Sequence, residues 1–113
     1  VHEYSIVGAL LHQVETEALA RGATSVGRVR VALGELSGVD PELLETAYRT
    51  FRERTFCRDA DLQIRTVPAC WVCPSCGRTF ARGEALRCLP CQAPARLESG
   101  DEILLEQIEM EVA

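Results

Sequence analysis

The sequence contains no lysine, and its twelve basic residues are all arginine. We read that bias as codon usage, without functional content. Aromatic residues make up only 5% of the chain, too few to build a platform on which bases stack. Positive charge is short as well. The formal net charge is −5, so no sequence-independent attraction to phosphate backbones is expected. No apolar run is long enough to span a bilayer, and no stretch orders basic, apolar and small residues as a signal peptide does. The expectation is a cytoplasmic protein with neither nucleic acid nor membrane as partner. What remains suits one small domain with a minor appendage: 113 residues, 47% of them hydrophobic and 26% charged.

Along the chain, a helical pattern starts at Tyr4 and recurs through Val7, Leu11, Val14 and Ala18, with Ile6 and Leu10 widening the stripe. Gly22 stops it after Arg21, and His2 is expected on the free terminus just ahead of this helix. Val26 to Leu36 reads as a strand, because Val29, Val31 and Leu33 alternate with Arg28, Arg30 and Ala32. Gly34 to Asp40 is a loop that leads into Asp40-Pro41-Glu42, an N-cap with proline at the first helical position. Leu44, Ala47, Tyr48 and Phe51 form the apolar stripe of that second helix. A strand over Asp61 to Val67 ends at Pro68. The last strand runs from Asp101 to Val112, with Leu104, Ile108, Met110 and Val112 on one face and a bulge near Glu106.

This order predicts an α/β fold, with two helices packed on a three-stranded mixed sheet. Its strand–helix–strand unit supplies a parallel pair with a right-handed crossover. Between the second and third strands, residues 68–100 break the pattern with five cysteines and few large apolar side chains. So short a segment lacks the apolar mass for a core of its own, and a bound metal would supply its folding free energy. The expected division is therefore 1–67 plus 101–113 as one unit, with 68–100 inserted as a zinc-ribbon-like module.

The chemistry of the insert lies in Cys73-Pro74-Ser75-Cys76-Gly77, answered by Cys88-Leu89-Pro90-Cys91. Two C-x-x-C knuckles separated by eleven residues can give one tetrahedral ion four thiolates. In a chain without a secretory signal, paired cysteines are metal ligands rather than a disulfide framework. Cys70 also forms a C-x-x-C with Cys73 and stands as a spare or alternate ligand. Cys57 has no partner nearby and reads as core packing or a free thiol. With four sulfurs the zinc shell is closed, and no general base lies within the knuckles, so the module is structural and not an enzyme site.

A second metal site is possible where the sequence begins, at Val1-His2-Glu3. An α-amine, a deprotonated amide and an imidazole in succession are planar nitrogen donors that suit Ni²⁺ or Cu²⁺. His12, in mid-helix, reads as a solvated or packed side chain.

The opening His2-Glu3-Tyr4-Ser5-Ile6-Val7 resembles the start of the HypA/HybF family of nickel metallochaperones in [NiFe]-hydrogenase maturation. The likeness continues through Gly34-Glu35-Leu36-Ser37-Gly38-Val39-Asp40, the helix carrying Phe51, and Asp59-Ala60-Asp61-Leu62-Gln63-Ile64. It also takes in the paired knuckles and the closing Ile108-Glu109-Met110-Glu111-Val112, and so covers essentially the full length. The resemblance implies a nickel-binding α/β domain and a four-cysteine zinc domain. It implies His2 as a nickel ligand, with the terminal amine and the backbone nitrogens of His2 and Glu3 as co-ligands. It implies Cys73, Cys76, Cys88 and Cys91 as zinc ligands, and places Glu3 and Asp40 close to the nickel. Its partners would be a HypB-type GTPase, a hydrogenase large-subunit precursor and urease maturation proteins. Family chains begin with Met where this one has Val1, which a GUG start codon read literally would produce; either residue supplies an α-amine. The second knuckle has Gln92 where the first has Gly77. The alternatives are a zinc-ribbon interaction module without nickel transfer and a rubredoxin-like iron electron carrier.

Overall fold

Hydrophobic periodicity organises the first two-thirds of the chain and cysteine spacing the insert. A computed structural model describes residues 2–112, and for His2 the backbone alone. The order is α1 (His2–Ala20), β1 (Ala23–Gly34), α2 (Pro41–Phe51) and β2 (Asp61–Val67). Five short strands follow, β3 (Cys70–Val72), β4 (Thr79–Ala81), β5 (Arg87–Cys88), β6 (Ala93–Pro94) and β7 (Arg96–Ser99), and then the long β8 (Ile103–Val112). The main sheet has the order β2-β1-β8, with β2 parallel and β8 antiparallel to β1.

Local signals account for the ends of the helices. Gly22, at φ 66°, closes α1, and its N–H donates to the Leu19 carbonyl at 3.2 Å. The Asp40 carboxylate caps α2 by accepting the N–H groups of Glu42 at 2.8 Å and Leu43 at 3.3 Å. Both helices bury their stripes on one face of the sheet. Val7, Leu10, Leu11, Val14 and Ala18 of α1 meet Val26, Val29 and Val31 of β1 and Leu44, Ala47 and Tyr48 of α2. The other face is polar. Arg28 pairs with Glu109 at 3.3 Å, and Arg65 makes two bonds to Glu106 at 3.0 and 2.7 Å. Exposed pairs of this kind contribute little to stability and mark a solvated face.

Three expectations are corrected. Helix α1 opens at His2 rather than after it. First-turn N–H groups need no intrahelical acceptor, and Glu3 complements the positive end of the helix, so nothing opposes helical geometry there. Tyr4 and Phe51, counted in the apolar stripes, are 55% and 50% exposed. They pack edge-on against each other, with ring centroids 5.3 Å apart, at the margin of the core. The bulge falls at Glu106 as expected, since Gln107 pairs with Arg30 and Leu105 with Val31. One extra residue reverses the parity of the strand, so Ile103 and Leu105 join Ile108 and Met110 against the core and Leu104 is left 52% exposed.

The insert forms a second sheet, β4-β3-β7, and a small β5-β6 hairpin, together called the ribbon below. It leaves and rejoins the main sheet where β1 ends. Gly34 N–H donates to the Glu102 carbonyl at 2.8 Å and Glu35 N–H to the Val67 carbonyl at 2.8 Å. At this crossing Gly100 adopts φ 105°, and a Cβ there would stand 2.5 Å from the Ala69 Cα. Both the dihedral and the contact forbid a side chain. Gly100→Ala is expected to destabilise the protein by about 3 kcal/mol, the combined scale of a strained backbone and an overpacked contact. A urea midpoint unchanged from wild type would contradict this.

Candidate metal centre

The first knuckle is the turn between β3 and β4. Cys73 N–H donates to the Arg78 carbonyl at 2.8 Å, and Gly77 N–H donates to the Cys73 carbonyl at 2.9 Å. Gly77 takes φ 79°, which a glycine accepts without strain. The second knuckle lies between β5 and β6. There Gln92 takes the left-handed conformation at φ 50°, a rare one for a residue with a Cβ. Its N–H donates to the Leu89 carbonyl at 3.3 Å, and its own carbonyl accepts the Arg87 guanidinium at 3.1 Å. The turn that glycine makes in the first knuckle is thus made by a tethered glutamine in the second.

The two turns bring Cys73, Cys76, Cys88 and Cys91 together, with all four Sγ atoms within 4.8 Å of one another. Cys76 Sγ lies 3.7 Å from Cys88 Sγ. A tetrahedral ion with metal–sulfur bonds of about 2.3 Å requires sulfur–sulfur edges of about 3.8 Å. The cavity therefore has the size of a tetrathiolate zinc shell. A disulfide needs sulfurs about 2.05 Å apart, and all six cysteines are free.

The protons on these thiols tell the same story. The N–H groups of Cys76 and Ser75 point at the Cys73 sulfur and bring its pKa down to about 7. Cys91 is pushed up to about 12, because its thiol donates to the neighbouring sulfurs of Cys76, Cys88 and Cys73. One thiolate forms readily and the last is opposed by those already present. Only a cation among them allows all four to ionise, so the donor set fits a divalent metal. Cys73 and Cys88 are buried, Cys91 half-buried and Cys76 exposed. Among the described residues no histidine or carboxylate joins the cluster. Four sulfurs close a tetrahedral shell, leaving no position for a reactive water.

The remaining candidates are dispersed. Cys70 sits in β3 with its Sγ 3.8 Å from the Trp71 carbonyl, outside the cluster. Cys57 is fully buried in the main core, where burial raises its thiol pKa and keeps it protonated. His12 is exposed on α1. The His2 side chain and Val1 lie outside what the structure describes, and the nickel-ligand assignment to them falls there. The position of that helix end is nevertheless defined. Ile6 and Leu10 of α1 line one groove with Ile103 and Leu105 of β8, and Ile103 stands opposite Leu33 of β1. Helix α1 therefore starts at the end of the sheet from which the ribbon emerges.

One residue escapes any local reading. The Glu35 carboxylate accepts the Ala69 N–H at 2.8 Å and the Arg82 guanidinium at 3.1 Å. These partners lie 34 and 47 residues away in sequence, so no local pattern marks it.

Residues 1–110 match the family described as hydrogenase/urease nickel incorporation, metallochaperone, hypA. The chain belongs to the HypA family. A hydrogenase maturation factor HypA of Shewanella halifaxensis is 41% identical, over 100% of both chains. That of Wolinella succinogenes is 44% identical, over 98% of this chain and 96% of its own. The solution structure of the Ni metallochaperone HypA from Helicobacter pylori superimposes with a TM-score of 0.75 at 31% identity, covering 98% of each chain. The fold is thus shared over nearly the whole chain with a HypA protein of known structure. The family is described as one of metallochaperones in nickel incorporation.

Proposed function

We propose that this chain carries Ni²⁺ at its amino terminus and passes it toward a hydrogenase large-subunit precursor. The ligands are the His2 imidazole, the α-amine ahead of it, and the backbone nitrogens of His2 and Glu3. A HypB-type GTPase is the partner in delivery, urease maturation proteins are a second clientele, and the exchange takes place in the cytoplasm. The observation that carries the reading is the family match over residues 1–110, which includes the His2-Glu3 opening. The geometry is compatible with it. Helix α1 begins at His2, so the nitrogens nickel would take are first-turn amides with no intrahelical acceptor to lose. Amidate nitrogens carry negative charge, which the positive end of a helix favours.

Cys73, Cys76, Cys88 and Cys91 hold zinc in this reading, supported by the tetrahedral size of the sulfur cluster. Zinc in that shell supplies a cross-link between two knuckles that little else joins. The chain divides into residues 1–67 with 101–113 for nickel and 68–100 for zinc. This division is supported by two hydrophobic clusters that share no residue. One combines α1, β1 and α2, and the other is Cys73, Phe80 and Cys88 with Trp71, Cys91, Ala93 and Ala95 against them. Nickel titration of the zinc-loaded chain, compared with His2→Ala and with an amino-terminally extended chain, tests the proposal.

A further inference from the structure

The metal chemistry gives Glu35 nothing to do, yet both its carboxylate oxygens are engaged. Oε1 accepts the Ala69 N–H at 2.8 Å and Oε2 accepts the Arg82 guanidinium at 3.1 Å. The two partners belong to different parts of the ribbon. Ala69 lies in the incoming linker. Arg82 follows β4, the strand on the far side of β3 from β7.

Backbone bonds hold the linkers where they cross. Glu35 N–H donates to the Val67 carbonyl at 2.8 Å and Leu36 N–H to the Gly100 carbonyl at 2.6 Å. These bonds all gather at the root, where β3 and β7 begin and end. They anchor the ribbon at that root. Arg82 stands one strand further out, so its bond to Glu35 resists rotation of the ribbon on a longer lever arm than the root bonds have. We propose that Glu35 is the positioning residue that fixes the orientation of the ribbon on the helix–sheet unit.

The latch is a releasable one. The Arg82 and Glu35 side chains are 64% and 32% exposed, and an ion pair in contact with water holds weakly. The Ala69 N–H, and then Arg82, keep the Glu35 carboxyl below the usual carboxylate range, so it is charged throughout the neutral range. Because α1 starts at this end of the sheet, opening the latch changes which ribbon surface faces the amino terminus. That consequence rests on the nickel reading; the latch does not.

The test is ¹⁵N relaxation of the zinc-loaded full chain without nickel. In the wild type, amides of β3, β4 and β7 should share one overall correlation time with those of β1 and β8. Glu35→Ala should lose that shared time, its ribbon amides tumbling faster while zinc stoichiometry and main-sheet amide protection stay unchanged. Arg82→Ala should shift the ribbon in the same direction by less, and Arg82→Lys should restore wild-type behaviour. Glu35→Gln, which keeps an acceptor for Ala69 without the charge, should fall between. If Glu35→Ala fails to load zinc, Arg82→Ala decides, because its side chain is exposed and outside the sulfur cluster. A ribbon that keeps the wild-type correlation time in Arg82→Ala overturns the proposal, whatever nickel does.

Discussion

Replacing Cys73 with serine is expected to strip the ribbon of its ion and of its structure while leaving the helix–sheet core folded. The reason lies in what the ribbon buries. Its core is Cys73, Phe80 and Cys88, flanked by Trp71, Cys91, Ala93 and Ala95, so three of these seven side chains are proposed metal ligands. Phe80 is the one large apolar side chain buried there, and its burial contributes roughly 2–3 kcal/mol. Ordering each residue of the segment costs about 1–2 kcal/mol of backbone entropy. So small an apolar core leaves the ordered ribbon dependent on the binding free energy of its metal, because the site forms only in the folded segment. Removing one thiolate opens the tetrahedral shell, and Cys73 is the ligand whose sulfur the backbone N–H groups already favour as an anion.

The main core gives a different forecast. Among the described residues its thirteen buried members all lie in α1, β1, α2 and the segment joining α2 to β2. None belongs to the ribbon. Cys73→Ser should thus show less than one zinc per chain and collapse of ribbon amide protection, with α1, β1 and β8 amides still protected. A chelator should reproduce the pattern in the wild type. Retention of ribbon protection in a metal-free Cys73→Ser chain would show that side-chain packing suffices, and the structural role of the metal would be lost.

What could be read from the residues, and what could not, separates by the range of the interaction. Asp40 before Pro41 and Gly22 after Arg21 act within one turn of chain, and both helix ends stand where those signals put them. The knuckles are equally local, since spacing alone brings each cysteine pair to one side of a turn. The parallel β1–β2 pair follows from alternation on either side of a helix. The errors come from contacts made across the fold. Alternation alone puts Leu104 on the core face with Ile108 and Met110, and taking it off that face requires applying the parity reversal at Glu106, which depends on a pairing register that belongs to two strands together. Tyr4 and Phe51 fit their helical stripes but sit at the ends where the helix layer stops, so they cover each other instead of entering the core. Gln92 in a glycine's conformation is sustained by Arg87 on the neighbouring strand, an arrangement composition does not reveal. Glu35 was visible only as part of a resemblance, and its partners belong to two other segments of the chain.

His2→Ala is expected to lower nickel affinity by more than about 100-fold, since deleting an outer partner of a ligand alone costs 10–100-fold and His2 is proposed as a ligand itself. An extension of several residues ahead of Val1 should have a comparable effect by a different route. It turns the Val1 α-amine into an amide and carries the new terminal amine too far along the chain to close fused chelate rings with the His2 imidazole, whereas a single added residue would leave amine, two amides and imidazole in chelating succession. The two variants therefore test the amine and the imidazole separately, while neither touches the sulfur cluster. Proton competition fixes the sign of the pH dependence. An α-amine with a pKa near 8 and an imidazole near 6.5 bind nickel only after losing their protons, so affinity should fall as pH is lowered through that range. His2→Ala, lacking the imidazole, should keep only the amine's part of the slope. His12 is the internal control, because it is exposed on the same helix and outside the proposed ligand set. His12→Ala should bind nickel like the wild type. Isothermal titration of the four zinc-loaded chains between pH 6 and pH 8 reads all of this at once, and equal affinities for wild type, His2→Ala and the extended chain would remove the amino terminus as the nickel site.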